Sequence, residues 1–302
     1  MKTTTLPLLL ATLAIASSAR AQNIVGRADR TFTHSARIGA GDDVRIFAPQ
    51  GTITVTEGSG NTIEYRAEKV RGDAEDIGFI VRPLANGITI CAVYDEDDEC
   101  NDDGVRSNRR RTWRSGNNRA RVEVTVSVPA GTRLRVSSGS GDVSVTTAAT
   151  EARVASGNGK VRVNGIRGRV EVSSGNGAVT VDDVTGPVSA NSGNGDVSIG
   201  TVNGPVSASS GNGDILVSMD RLTGTGDLEF TSGNGRIEVT VPTDFSAEVQ
   251  ASTGNGRITT DFPIQLVGRI SPTRLRGTIG DGRRKLTMTT GNGSMEIRKG
   301  AR

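Results

Sequence analysis

Ser174-Gly175-Asn176-Gly177-Ala178-Val179-Thr180-Val181, Ser192-Gly193-Asn194-Gly195-Asp196-Val197-Ser198-Ile199 and Ser210-Gly211-Asn212-Gly213-Asp214-Ile215-Leu216-Val217 are three successive copies of one pattern. The tetrapeptide also begins at Ser138 (as Ser-Gly-Ser-Gly), Ser156, Ser232, Thr253 and Thr290. Its first four steps are 18 residues each, and the later ones are 22, 21 and 37. A fixed period of this length marks stacked repeats.

Each unit holds two stretches that alternate apolar and polar residues. After the turn come Val143-Ser144-Val145, Val161-Arg162-Val163 and Ile237-Glu238-Val239; before it come Leu134-Arg135-Val136, Val170-Glu171-Val172 and Leu228-Glu229-Phe230. Period-two alternation means strands with one buried face. Two strands of about five residues and two turns fill 18 positions. The expected fold is therefore all-β: a parallel β-solenoid with two strands per 18-residue coil, an irregular β N-terminal region and caps. Asn-Gly is also the strongest hairpin signal, so an antiparallel sandwich is the competing reading. A sandwich has no need of identical coils with one turn sequence, which favours the solenoid.

At the turn, the two glycines are expected to supply left-handed backbone, and Asn tolerates that region while its amide can bond its counterpart one coil away. This predicts an internal ladder of Asn158, Asn176, Asn194 and Asn212, continued by Asn234, Asn255 and Asn292. The opposite corner varies: Gly165-Ile166-Arg167-Gly168, Val184-Thr185-Gly186-Pro187 and Val202-Asn203-Gly204-Pro205.

Three segments follow. Residues 1–21 read as a secretory signal, with Lys2, an apolar run from Leu6 to Ala16 that is too short to span a bilayer, and Ala19-Arg20-Ala21 before Gln22. Residues 22–130 carry strands without the 18-residue beat and read as an N-terminal β cap region, with a charged insertion at 91–121. Residues 131–302 read as the solenoid repeats with a C-terminal cap, the long last step suggesting one coil that has diverged. The chain is thus expected to be exported, periplasmic or extracellular, with no membrane span. Removing the signal leaves 34 basic residues against 33 acidic, so nucleic-acid binding has no compositional support. With 40 glycines and 34% apolar residues, the core should be thin and the turns many.

Cys91 and Cys100 bracket Asp95-Glu96-Asp97-Asp98-Glu99, and in an exported chain such a pair reads as a disulfide. Seven acidic residues lie between 95 and 103 and seven arginines between 106 and 121, so the insertion should neutralise itself through its own ion pairs. A calcium site in the acidic run lacks the EF-hand spacing, and a basic ligand patch at Arg109, Arg110, Arg111 and Arg114 is the remaining alternative.

Catalytic signals are missing. His34 is the single histidine and precedes every repeat, so neither a histidine triad nor an imidazole metal cluster can be assembled. Outward positions such as Ser144, Arg162, Thr180 and Ser198, or Arg153, Glu171 and Ser189, form no row of one chemistry. The acids after the last turn glycine, Asp142, Asp196 and Asp214, alternate with Lys160, Ala178 and Arg236, unlike calcium-binding nonapeptides. The best enzyme constellation, Asp182 and Asp183 near Arg167 and Arg169, reads more simply as a turn.

Val128-Pro129-Ala130-Gly131 ahead of the first regular coil, the Ser-Gly-Asn-Gly-Asp-Val units, and Gly277-Thr278-Ile279-Gly280-Asp281-Gly282 followed by Leu286-Thr287-Met288-Thr289-Thr290-Gly291-Asn292-Gly293 resemble a bacterial family of putative adhesins built from β-strand repeats, relatives of auto-transporter adhesin heads. The resemblance implies a stacked-coil architecture and no catalytic residues. The expected function is an exported non-catalytic scaffold for an unknown protein or cell-surface ligand. A periplasmic envelope-stress or signalling accessory is the alternative, and a polysaccharide-acting enzyme a distant third. No cofactor, metal or small-molecule ligand is expected, and binding should fall on the insertion and the two ends.

Overall fold

A computed structural model describes residues 22–107, 120–219, 221–267 and 271–300. The expected signal (1–21) and the arginines Arg109, Arg110, Arg111 and Arg114 lie outside the described residues. The architecture is a parallel β-solenoid with two walls. Wall A is built from strands such as Arg133–Ser140, Glu151–Asn158, Arg169–Asn176 and Val188–Asn194, and wall B from Val143–Thr146, Val161–Asn164, Val179–Asp182 and Val197–Ile199. Each pairs in parallel with its counterpart one coil on, for example Val154 with Val172 and Val163 with Val181.

Sequence alternation decides which side chains enter the core. In one coil Val161 and Val163 point in from wall B, Ile166 from the variable corner, and Val170 and Val172 from wall A. Each fully buried valine is worth about 1.5–3 kcal/mol relative to exposure. Where the wall A row shrinks to Ala190 and Ala208, Phe230 follows in the next coil and is fully buried.

The repeated turn closes the remaining corner. Ser174 Oγ donates to the Gly159 carbonyl at 2.8 Å, and Ser192 Oγ to Gly177 at 2.9 Å. Asn176 Nδ2 donates to Asn158 Oδ1 at 2.8 Å, and Asn194 to Asn176 at 2.9 Å. The last turn glycine takes the expected positive φ at Gly141, Gly195, Gly213 and Gly293 (152°, 148°, 158° and 153°), and both turn glycines serve a further purpose. A Cβ on Gly175 would lie 2.5 Å from the Gly157 carbonyl oxygen, and one on Gly177 would lie 2.2 Å from that of Gly159. Contact distance removes the side chain here. A second positive-φ position sits at the opposite corner, occupied in register by Gly165, Asp183 and Thr201 with φ of 86°, 49° and 43°.

The order of coils in space departs from their order in sequence at both ends. Leu228–Asn234 pairs with Lys285–Asn292, which pairs in turn with Ala247–Asn255. The last coil in sequence is therefore inserted before the one that precedes it, and the amide ladder runs Asn212, Asn234, Asn292, Asn255. At the other end Asp43–Glu57 runs through both walls, flanked by Arg133–Ser140 and Val143–Thr146 on one side and by Gly87–Val93 and Arg121–Val128 on the other. It is a regular coil within the segment read as a cap, with Ala48 and Gln50 paired to Ser138 and Ser140.

Antiparallel strands cover the terminal coils. Gly78–Leu84 lies on Gly87–Val93, and Thr62–Arg71 lies on Arg121–Val128. At the far end Arg274–Ile279 lies on Ala247–Asn255. Among the described residues no helix is long and apolar enough to cross a membrane.

Two measurements test this arrangement. Cysteines at Thr231 and Thr289, adjacent in neighbouring coils, should lie about 4.8 Å apart and oxidise to a disulfide detectable by peptide mapping. Cysteines at Thr231 and Ser252, two coils apart, should not; the opposite result would restore stacking in sequence order. Gly175→Ala should lose about 3 kcal/mol in urea unfolding, whereas Ser173→Ala, on the exposed face, should change little.

Candidate binding surface on wall A

Outward residues of wall A stack into columns because the coils are in register. One column runs Asp43, Arg133, Glu151, Arg169 and the next Arg45, Arg135, Arg153, Glu171. Read along the chain these residues have no common chemistry; read across coils the first column alternates in sign, and the second runs three arginines before Glu171. Arg133 Nε lies 2.7 Å from Asp43 Oδ1, and Arg45 Nη2 lies 3.0 Å from Asp43 Oδ2. Arg153 Nε lies 3.2 Å from Glu151 and 3.4 Å from Glu171. For Asp43, burial pushes the carboxyl up, but hydrogen bonds from Arg133 and Arg45 and their charges outweigh it and hold the pKa below the usual carboxylate range.

The insertion folds onto this wall. Asp98–Asn101 and Gly104–Ser107 form a short antiparallel hairpin, joined to Gly87–Val93 by a disulfide between Cys91 and Cys100. The sulfurs are buried with Phe47, Ile80 and Val93. Gln22 clamps the same residue, its Nε2 donating to the Cys100 carbonyl at 2.8 Å and its Oε1 accepting from the Cys100 amide at 2.7 Å. Asp98 is internal to the loop, its Oδ2 accepting from the Tyr94 and Asp95 amides at 2.9 and 3.0 Å.

Asp102 and Asp103 reach outside the insertion. Asp102 pairs with Arg82 and, at 3.1 Å, with Arg45; Asp103 pairs with Arg135 at 3.0 Å. These two carboxylates thus neutralise arginines outside the insertion, while Arg109, Arg110, Arg111, Arg114 and Arg119, on which the expected internal ion pairs rest, lie outside the described residues. Beside the hairpin the wall forms a groove of about 550 Å³, lined by Phe47, Asp103, Arg135, Arg153, Arg169 and Asn191 among others.

Other candidates resolve into structural roles. Asp142 Oδ1 accepts the Lys160 amide at 2.8 Å, Asp196 that of Asp214 at 2.9 Å, and Asp214 that of Arg236 at 2.7 Å. The acid after the turn thus caps the next coil's backbone, a role the 18-residue register could have suggested. Arg167 pairs with Asp183 at 3.2 Å, and Asp182 Oδ1 accepts the Asp183 amide at 2.9 Å. Arg169 instead begins a wall A strand, so these four residues do not converge. His34 sits in Thr31–Arg37 opposite Tyr65. Among the described residues no group of three or more His, Cys, Asp or Glu side chains could hold a metal ion.

Comparison with known proteins gives one family match and several distant folds. The family model described as Toastrack DUF4097 matches residues 101–298. A putative adhesin from Bacteroides fragilis NCTC 9343 is 13% identical at a TM-score of 0.45, over 90% of this chain and 99% of that one. From Parabacteroides distasonis ATCC 8503, a putative lipid binding protein is 10% identical at a TM-score of 0.47, over 89% and 97% of the two chains. A putative adhesin from the same organism is 12% identical at 0.46, over 90% and 98%. No curated protein matches the sequence.

The Asp43 cluster makes a pH-dependent contribution whose sign is fixed. A carboxylate held below its unfolded value near pH 3.9 stabilises above that pH and loses the contribution as pH falls through its folded value. Asp43→Asn should therefore cost about 1 kcal/mol at neutral pH. The gap between the two proteins should close toward pH 2 in urea titrations; a gap independent of pH would show that charge is not its source.

Proposed function

This chain belongs to the Toastrack DUF4097 family, and on that footing we propose that it is an exported, non-catalytic, adhesin-like scaffold whose working surface is the groove of wall A beside the disulfide hairpin. The observation that carries this reading is the docking of Asp102 and Asp103 onto arginines from separate strands, Arg45, Arg82 and Arg135. A loop tied at its base by a disulfide and at its tip by ion pairs holds a fixed edge, and a rigid edge lowers the ordering cost of binding.

Export is supported by the signal pattern of residues 1–21 and by the disulfide, which persists in oxidising compartments. The groove mixes arginines with Glu171, Asp103 and the polar Ser173, Ser189 and Asn191. Such a surface suits the polar face of a protein or cell-surface ligand better than a uniform polyanion.

The test places a photo-crosslinking amino acid in the chain as expressed in its own cells. Position 173 or 191 in the groove should yield one discrete adduct, and position 180, exposed on wall B, should yield none. Equal yields from the two walls would sink the assignment of the groove.

A further inference from the structure

Near the C-terminal end, the variable corners of neighbouring coils enclose a cavity of about 1030 Å³. Its walls come from segments far apart in sequence. They are the corner before Leu228, lengthened where the repeat step grows to 22 residues, the turn at 242–246, and the crossing at 279–284 that leads into the inserted coil. Phe245 and Phe262 line it with ring centroids 6.0 Å apart, next to the half-buried Leu222.

Four cations face this space against two acids. Arg283 is committed to Asp281 at 2.7 Å, and Asp281 also accepts from the Ser246 hydroxyl. Arg284 ties down the lengthened corner, donating to the Gly224 carbonyl at 2.8 Å and to that of Gly226 at 3.4 Å. Arg221 and Lys299 make no ion pair with another described residue, and Lys299 Nζ stands 5.1 Å from the Phe262 ring centroid. Positive charge is thus left over beside an apolar lining.

We propose that this cavity is a binding site for an amphiphilic anion, its acidic head held by Arg221 and Lys299 and its apolar body lying against Phe262 and Leu222. The volume suits a small molecule, and a guanidinium with an ammonium suits a carboxylate, sulfonate or phosphate head. The site departs from the compositional expectation of no small-molecule ligand. It is separate from the groove of wall A, so the two assignments stand or fall independently.

Anilinonaphthalene sulfonate joins an anionic group to an apolar ring body and serves as the probe. Titrated into the full chain, it should give a saturable one-site rise in fluorescence. Arg221→Glu with Lys299→Glu should weaken it by about tenfold or more, with circular dichroism unchanged because both side chains are exposed. Thr243→Trp, which fills the cavity and leaves its charges alone, should do the same. Dodecyl phosphate should displace the dye where equal inorganic phosphate or dodecanol does not. Binding indifferent to both variants would overturn the site. Displacement by inorganic phosphate as effective as by dodecyl phosphate would overturn the apolar half of the assignment, and displacement by dodecanol as effective would overturn the anionic half.

Discussion

At the Ser-Gly-Asn-Gly corner the backbone of one coil rests on the backbone of the next, with a carbonyl oxygen occupying the place where a side chain would begin. This close approach needs both glycines, and it aligns the groups that lock it. The serine hydroxyl reaches a glycine carbonyl of the neighbouring coil, and the asparagine amide reaches its counterpart. The buried hydroxyl is satisfied inside the stack, as a buried donor must be. With the corner fixed, the alternating strands on either side have a single register, and a one-residue slip would turn every core valine toward water.

A stack held by backbone contact leaves an open edge at each end, and exposed edges recruit other chains. This chain closes both ends with antiparallel strands, and at both it threads a coil out of sequence order. The strands that cover the terminal coils are thereby linked to coils lying deeper in the stack. The same crossing at 279–284 also helps wall the C-terminal cavity.

Register organises the outer walls as firmly as the core. Arg133 and Asp43 are 90 residues apart in sequence and meet at 2.7 Å because their strands are neighbours. The disulfide hairpin adds carboxylates to the same columns, so the N-terminal half of wall A is a neutralised, rigid surface with a groove beside it. Exposed ion pairs of this kind contribute little each. Their larger consequence is geometric, since they decide where the hairpin stands.

Much of the fold was legible in the sequence because its cause is local and repeated. The 18-residue beat gives the coil, period-two alternation gives the inward valines, and the turn gives the members of the amide ladder, from Asn158 to Asn292. The regular coil at Asp43–Glu57 carries no turn signature, because Ala48-Pro49-Gln50-Gly51 replaces the turn serine and asparagine, although its register is intact. The order of the last coils, the docking of Asp102 and Asp103 on the wall, and the cavity at the C-terminal corners were settled only by tertiary structure. Each depends on which strands become neighbours after the chain turns back on itself, and a strand pairing between similar coils leaves no mark in local pattern: Lys285–Asn292 satisfies the same hydrogen bonds and core positions wherever in the stack it is inserted.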